Sequence, residues 1–107
     1  MVVRADLSPA QQAVQAAHAL QEFNMRFAAE ARQWFETSNT LALLSVVNEH
    51  ALGVLVEKAN DQDITVAAFR EPDRGDELTA IALGPHGKRI TRRLPKALND
   101  SSQKDTS

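Results

Sequence analysis

The sequence predicts a single α/β domain built on a mixed four-stranded sheet with helices on both faces, in the order β-α-α-β-α-β-β-α. Three observations carry that prediction. Short apolar or β-favouring runs alternate with helix-period patterns along the chain, as strand-helix-strand units require. The turn formers Pro72, Asp73, Arg74 and Gly75 connect the last two strand patterns; so short a link favours an antiparallel hairpin, whereas the longer crossovers favour parallel pairing. Finally, 107 residues with 43% apolar and 24% charged content have the size and balance of one ordinary domain with one core.

Taken in order, residues 1–5 form a short apolar strand. Ser8, Pro9 and Gln11 then spell a helix start, with Ser8 as N-cap, Pro9 at the first helical position and Gln11 able to close a capping box. This helix runs to about Phe23. A second helical pattern follows, whose Phe27, Ala31, Trp34 and Phe35 recur at three- and four-residue spacing and are expected in the core. The run TLALLSVV, residues 40–47, is almost unbroken in apolar and β-favouring residues, as expected of a central strand covered on both faces. Asn48 caps a third helix that buries Leu52, Leu55, Val56 and Ala59 and ends at Asn60 and Asp61. Residues 64–69 and 78–83 are the hairpin strands, the second stopped by Gly84 and Pro85. A basic helix follows, ended by Pro95. The domain is expected to span 1–98, with 99–107 a flexible polar tail that has nothing to bury.

Composition excludes several function classes. With no cysteine in the chain, disulfides, thiolate metal sites and cysteine nucleophiles are ruled out, and a cytoplasmic location is the default. His18, His50 and His86 lack ligand spacing, so no metal site is expected. Neither a signal peptide nor a membrane span is expected, because no apolar run reaches about 20 residues. The net charge of −2 conceals a local asymmetry: Lys88, Arg89, Arg92, Arg93 and Lys96 crowd into HGKRITRRLPK. On a helix these five fall within an arc of about 140° opposite Ile90, Leu94 and Ala97. Such a face suits a phosphate backbone, although charge clusters on surface helices are more often plain solvated faces.

The first helix carries the chemically informative pattern. Gln11, Gln15, His18 and Glu22 fall within about 60° of one another and form one polar stripe, among alanines at 10, 13, 16, 17 and 19 that let backbone or ligand approach closely. The plainer alternative is that Gln11 only caps, Gln15 and Glu22 face water, and His18 is a hydrogen-bonded structural residue.

VVRADLSPAQQAVQAAHAL resembles the opening strand and first helix of the type II peptidyl-tRNA hydrolases, the archaeal and eukaryotic kind of that enzyme. Gln15 and His18 match the family's glutamine three residues before histidine, and Arg4 and Asp6 match its strand-end Arg-x-Asp. AAFREPDRGDELTAIALGP is similar to the family's penultimate strand, acidic loop and last strand ending in Gly-Pro. The resemblance covers most of the chain and implies the same mixed four-stranded fold. The family's proposed catalytic group is a helix lysine, a loop aspartate and a strand threonine. Here Gln11, Glu71 and Thr79 occupy those positions, with Asp73 or Asp76 as alternatives to Glu71 in a loop several residues shorter. Gln11 carries no charge, so unlike lysine it cannot stabilise an oxyanion electrostatically.

The resemblance thus implies hydrolysis of the ester joining a peptidyl group to tRNA, with Gln11, His18, Glu71 and Thr79 as catalytic residues. Glu71 or His18 would be general base, Thr79 would position the water, and the Gln11 and Gln15 amides would donate to the oxyanion. Arg4, Asp6, Gln15, Lys88, Arg89 and Arg92 are the expected substrate-binding residues, with Arg26 joining the phosphate contacts. No cofactor is required. The implied partner is the acceptor end of peptidyl-tRNA, with homodimerisation carried by the family's frequent pairing. Two rivals remain open at this level: a non-catalytic module of the same fold that binds tRNA, a nucleotide or a protein, and a dimer scaffold that buries the stripe.

Overall fold

The computed structural model describes residues 1–98. Its elements are β1 (Val2–Arg4), α1 (Pro9–Arg26), α2 (Ala28–Thr37), β2 (Leu44–Val46), α3 (Glu49–Asp61), β3 (Val66–Glu71), β4 (Glu77–Leu83) and α4 (Lys88–Thr91). Their order is the one the sequence predicts; residues 99–107, the expected tail, lie outside the described residues. The strands run β2-β1-β4-β3 across the sheet. β1 and β2 are parallel, while β4 is antiparallel to both of its neighbours.

Two apolar layers hold this sheet. On one face α1 presents Ala16, Ala19 and Phe23 to Val3, Ala67, Ala80 and Ala82. Alanine against alanine lets the helix axis approach the strands closely, so that a glutamine side chain can span from helix to sheet. On the other face α3 buries Leu52 and Leu55 against Val2, Val46, Leu78 and Ile81, with Ile90 and Leu94 closing the layer's margin.

Helix ends follow the expected capping. The Ser8 hydroxyl oxygen accepts the Gln11 N–H at 3.2 Å, and Asn48 accepts the Ala51 N–H at 3.0 Å. Each satisfies a first-turn donor that has no partner within its helix. Ser8→Ala is therefore expected to lower stability by about 1 kcal/mol, measurable by urea denaturation with an unchanged slope. Gly75 closes the β3–β4 turn with φ 65°, a left-handed conformation that glycine adopts without strain.

Three expectations fail, each for a physical reason. The apolar run at 40–47 is neither central nor a strand throughout. Only Leu44–Val46 pairs, and it is the edge strand of the sheet, where the C-terminal segment covers it: the Ser45 N–H donates to the Pro95 carbonyl at 2.9 Å and the Ala97 N–H to the Leu43 carbonyl at 2.8 Å. The apolar character of the run reflects that cover as much as the sheet. The basic helix stops at Thr91 instead of running to Pro95, because Pro95 disfavours helical geometry at Leu94 and the following backbone is drawn into pairing with β2. Arg92 and Arg93 consequently sit exposed in a turn, and Lys96 lies in an isolated bridge opposite Leu44. Phe35, expected in the core, is 63% exposed. α2 packs on α1 and buries only Ala31 fully, so a residue one position beyond Trp34 points away from that contact.

Candidate active site

The chemistry gathers at the end of the sheet where β3 stops, β4 begins and α1 starts. A bulge shapes it. Phe69 pairs with Ala80, but Arg70 pairs with Leu78, which leaves Thr79 as the extra residue of β4. Leu78 packs in the α3 layer and Ala80 in the α1 layer, and the extra residue lets Thr79 face α1 as well, as bulges next to functional sites commonly do.

Thr79 is fully buried. Its hydroxyl donates to Gln15 Oε1 at 2.7 Å, and Gln15 Nε2 donates to Glu71 Oε1 at 2.9 Å. The direction of this chain is dictated by its last member. A carboxylate only accepts, so the Gln15 nitrogen must face Glu71; its oxygen then faces Thr79 and fixes the hydroxyl proton. Gln15 itself is 5% exposed, so its rotamer is held by packing and by both bonds. One hydrogen of its amide nitrogen is left over for another acceptor.

Glu71 is half-buried at the strand end. The Gln15 amide, more than any other neighbour, holds its carboxyl below the usual carboxylate range; the Asp73 N–H, His18 and Arg74 act in the same direction, and partial desolvation opposes them. It is therefore an ionised acceptor at neutral pH. Phe69, two residues earlier on the same face of β3, stacks on the His18 ring with centroids 4.5 Å apart and planes 9° from parallel. Gln11 lies exposed one turn before Gln15, its N–H held by Ser8.

A second polar group borders the first. The Arg4 guanidinium, buried, bonds both Asp6 carboxylate oxygens at 3.0 Å, Glu77 Oε1 at 2.7 Å and the Leu78 carbonyl at 3.3 Å. Arg4 holds Asp6 and Glu77 below the usual carboxylate range. Glu49 accepts the Leu78 N–H at 2.8 Å, so both backbone polar groups of Leu78, the residue before the bulge, are fixed by side chains.

The structure thus brings together Gln15, His18, Glu71 and Thr79, with Gln11 at the margin and Arg4 and Asp6 engaged with Glu77 alongside. Lys88, Arg89 and Arg92 are exposed beyond the far end of β4, more than about 13 Å along the strand from Thr79. Asp73 and Asp76 lie exposed in and after the turn, and Glu71 is the acidic residue that meets Gln15. Sequence reasoning missed Gln12, Phe69 and Glu77. Gln12 is buried and donates to the Leu7 carbonyl at 2.8 Å; it begins the stripe continued by Ala16, Ala19 and Phe23, and that spacing was its only signal. Phe69 shares a strand face with Glu71, an inference period-2 alternation allows.

Three depressed carboxylates fix the acid response. A lowered folded value means stability that is present above the unfolded pKa of about 4 and lost as pH falls through the folded values. Asp6, Glu71 and Glu77 all have this sign. Urea midpoints should hold between about pH 6 and 8 and decline below about pH 4, and Asp6→Asn should flatten that decline.

Fold and site together define a small α/β domain with a hydroxyl-amide-carboxylate chain beside a stacked aromatic pair at one end of its sheet. Residues 1–99 match the family described as Peptidyl-tRNA hydrolase PTH2, and the chain belongs to that family. Membership carries peptidyl-tRNA hydrolysis as its function. No individual curated protein matches the chain. Among the described residues, no helix is long and apolar enough to cross a membrane.

Proposed function

We infer that the chain hydrolyses the ester of peptidyl-tRNA at the Thr79-Gln15-Glu71 cluster, with the fixed direction of that hydrogen-bond chain as the observation that supports it most. Glu71, ionised and aimed by Gln15, accepts a proton from water as the water oxygen attacks the ester carbonyl. The free hydrogen of Gln15 Nε2 and the Gln11 amide donate to the developing oxyanion. Collapse of the tetrahedral intermediate breaks the bond from the carbonyl carbon to the ribose oxygen and releases the peptidyl acid, and the departing ribose oxygen takes up the proton that Glu71 accepted, which restores the carboxylate. Thr79 is a positioning residue: it locks the Gln15 amide and touches nothing else in the reaction.

Because Gln11 replaces a cation, oxyanion stabilisation here rests on neutral donors, each weaker than a charged one. Rapid release of labelled N-acetyl-aminoacyl groups from tRNA, with free aminoacyl-tRNA spared, is the expected result with purified protein. Absence of release above background would overturn the reading.

Lys88, Arg89 and Arg92 fit this function as contacts to phosphates away from the ester, since an acceptor stem is long enough to reach past the sheet. Each phosphate contact contributes about 0.7–0.9 to the slope of log K against log salt. Replacing all three by alanine should reduce that slope by about two to three and raise KM, leaving kcat unchanged; tRNA binding across a salt series reads it directly. A cysteine-free chain acting on tRNA fits a cytoplasmic setting, and homodimerisation is supported by the family resemblance alone.

A further inference from the structure

We propose that the stacked His18 and Phe69 rings form a platform for the base of the terminal nucleoside, the one whose ribose carries the ester. The proposal rests on the hydrolytic reading of the neighbouring cluster and gives His18 a different task from that of a general base. His18 lies three residues after Gln15 on α1, and Phe69 two residues before Glu71 on β3. Ring pair and relay therefore share one side of α1 and one strand, separated along the helix by about 4.5 Å, a gap that a ribose bridges.

Beside the rings is a cavity of about 220 Å³ lined by His18, Gln21, Glu22, Met25, Arg26 and Phe69. It is smaller than the roughly 300–1,000 Å³ of sites for drug-sized ligands, which suits one planar ring system better than a whole nucleotide. Its lining has the parts that base recognition uses. An exposed imidazole, already backed by Phe69, offers a π-face. Met25, 78% exposed, supplies a polarisable edge, and Gln21 an amide for the base edge. Arg26, tethered at 3.6 Å by Glu22 with more than half its side chain open to water, is a cation for the phosphate on the 5′ side. Nothing in the hydrolytic cluster uses the Phe69 ring or the Met25 and Gln21 side chains.

An aromatic side chain of the peptidyl group is the competing occupant, and the test separates the two. The full chain is titrated with a CCA trinucleotide and, separately, with N-acetyl-phenylalaninamide, following the His18 ring protons by NMR, with assignment from the signals lost in His18→Phe. The trinucleotide should shift those signals upfield and saturably, and the phenylalanine compound should not. His18→Ala should weaken trinucleotide binding about 10-fold or more, and His18→Phe, which keeps a ring but no proton-transfer group, should restore it to within about threefold. In turnover, His18→Ala should act mainly on KM. A silent His18 at saturating trinucleotide, a shift caused by the phenylalanine compound instead, or His18→Phe as weak as His18→Ala would each overturn the proposal. Binding is read without turnover, so a chain that binds as expected but does not hydrolyse sinks only the hydrolytic reading; one that hydrolyses with His18 silent sinks only this one.

Discussion

Glu71→Gln is expected to lower kcat for release of N-acetyl-aminoacyl groups from tRNA by about 100-fold or more, the lower end of what a positioned general base contributes. The substitution keeps the shape and the acceptor oxygen for Gln15 Nε2, so the relay from Thr79 survives geometrically while the proposed proton acceptor is lost. KM should move little and the thermal midpoint should fall only slightly, because the Glu71 side chain stands half-exposed at a strand end and the glutamine keeps an acceptor for Gln15. A loss confined to KM would make Glu71 a binding residue. The pH profile offers an independent check. Gln15 holds the Glu71 carboxyl below its ordinary range, so kcat/KM in the wild type should stay level from neutral pH down to about 5 and fall only below the ordinary carboxylate value of about 4.3. Thr79→Val should give a smaller loss, since it frees the Gln15 amide to turn without removing the base.

How far the sequence could lead to this site depends on which feature is local. Caps, turn formers and the 3.6-residue pattern are local, and the element order read from Ser8, Asn48, Pro72 and Gly75 stands. Gln15 and His18 were legible because they share a helix stripe and carry the family resemblance. What faces them was not. LTAIA reads as ordinary alternation, and nothing in it announces that Thr79 is an extra residue; the bulge arises from pairing with β3, a non-local property. The same holds for the run at 40–47. Its apolar residues signal cover from both sides, but one part of that cover comes from residues 95–97, more than forty positions away. Charge was the least reliable guide. Five cations in eleven residues imply a helical face only if the helix continues, and Pro95 with its neighbour's backbone restriction ends it early.

The relay passes through a bulge, and Arg4 bonds the residue that precedes it. Its guanidinium donates to the Leu78 carbonyl while Glu49 takes the Leu78 N–H, so the residue next to Thr79 is held from both backbone groups. The energetics of this clamp are asymmetric. The Arg4 side chain is 8% exposed, whereas those of Asp6 and Glu77 are 42% and 38% exposed. Removing Arg4 leaves two carboxylates that water can reach. Removing both carboxylates leaves a buried guanidinium with one carbonyl for company, the costlier outcome, since an uncompensated buried charge is penalised far more than a hydrated one. Asp6→Ala with Glu77→Ala is therefore expected to lower the thermal midpoint by more than about 10 °C, and Arg4→Met by clearly less, as differential scanning calorimetry would show at pH 7. The reverse order would mean that Arg4 matters for its packing and not for its charge. In either folded variant kcat should fall, because a loosened Leu78 lets Thr79 drift from Gln15; a loss of tRNA affinity beside it would show that Arg4 and Asp6 also meet the substrate.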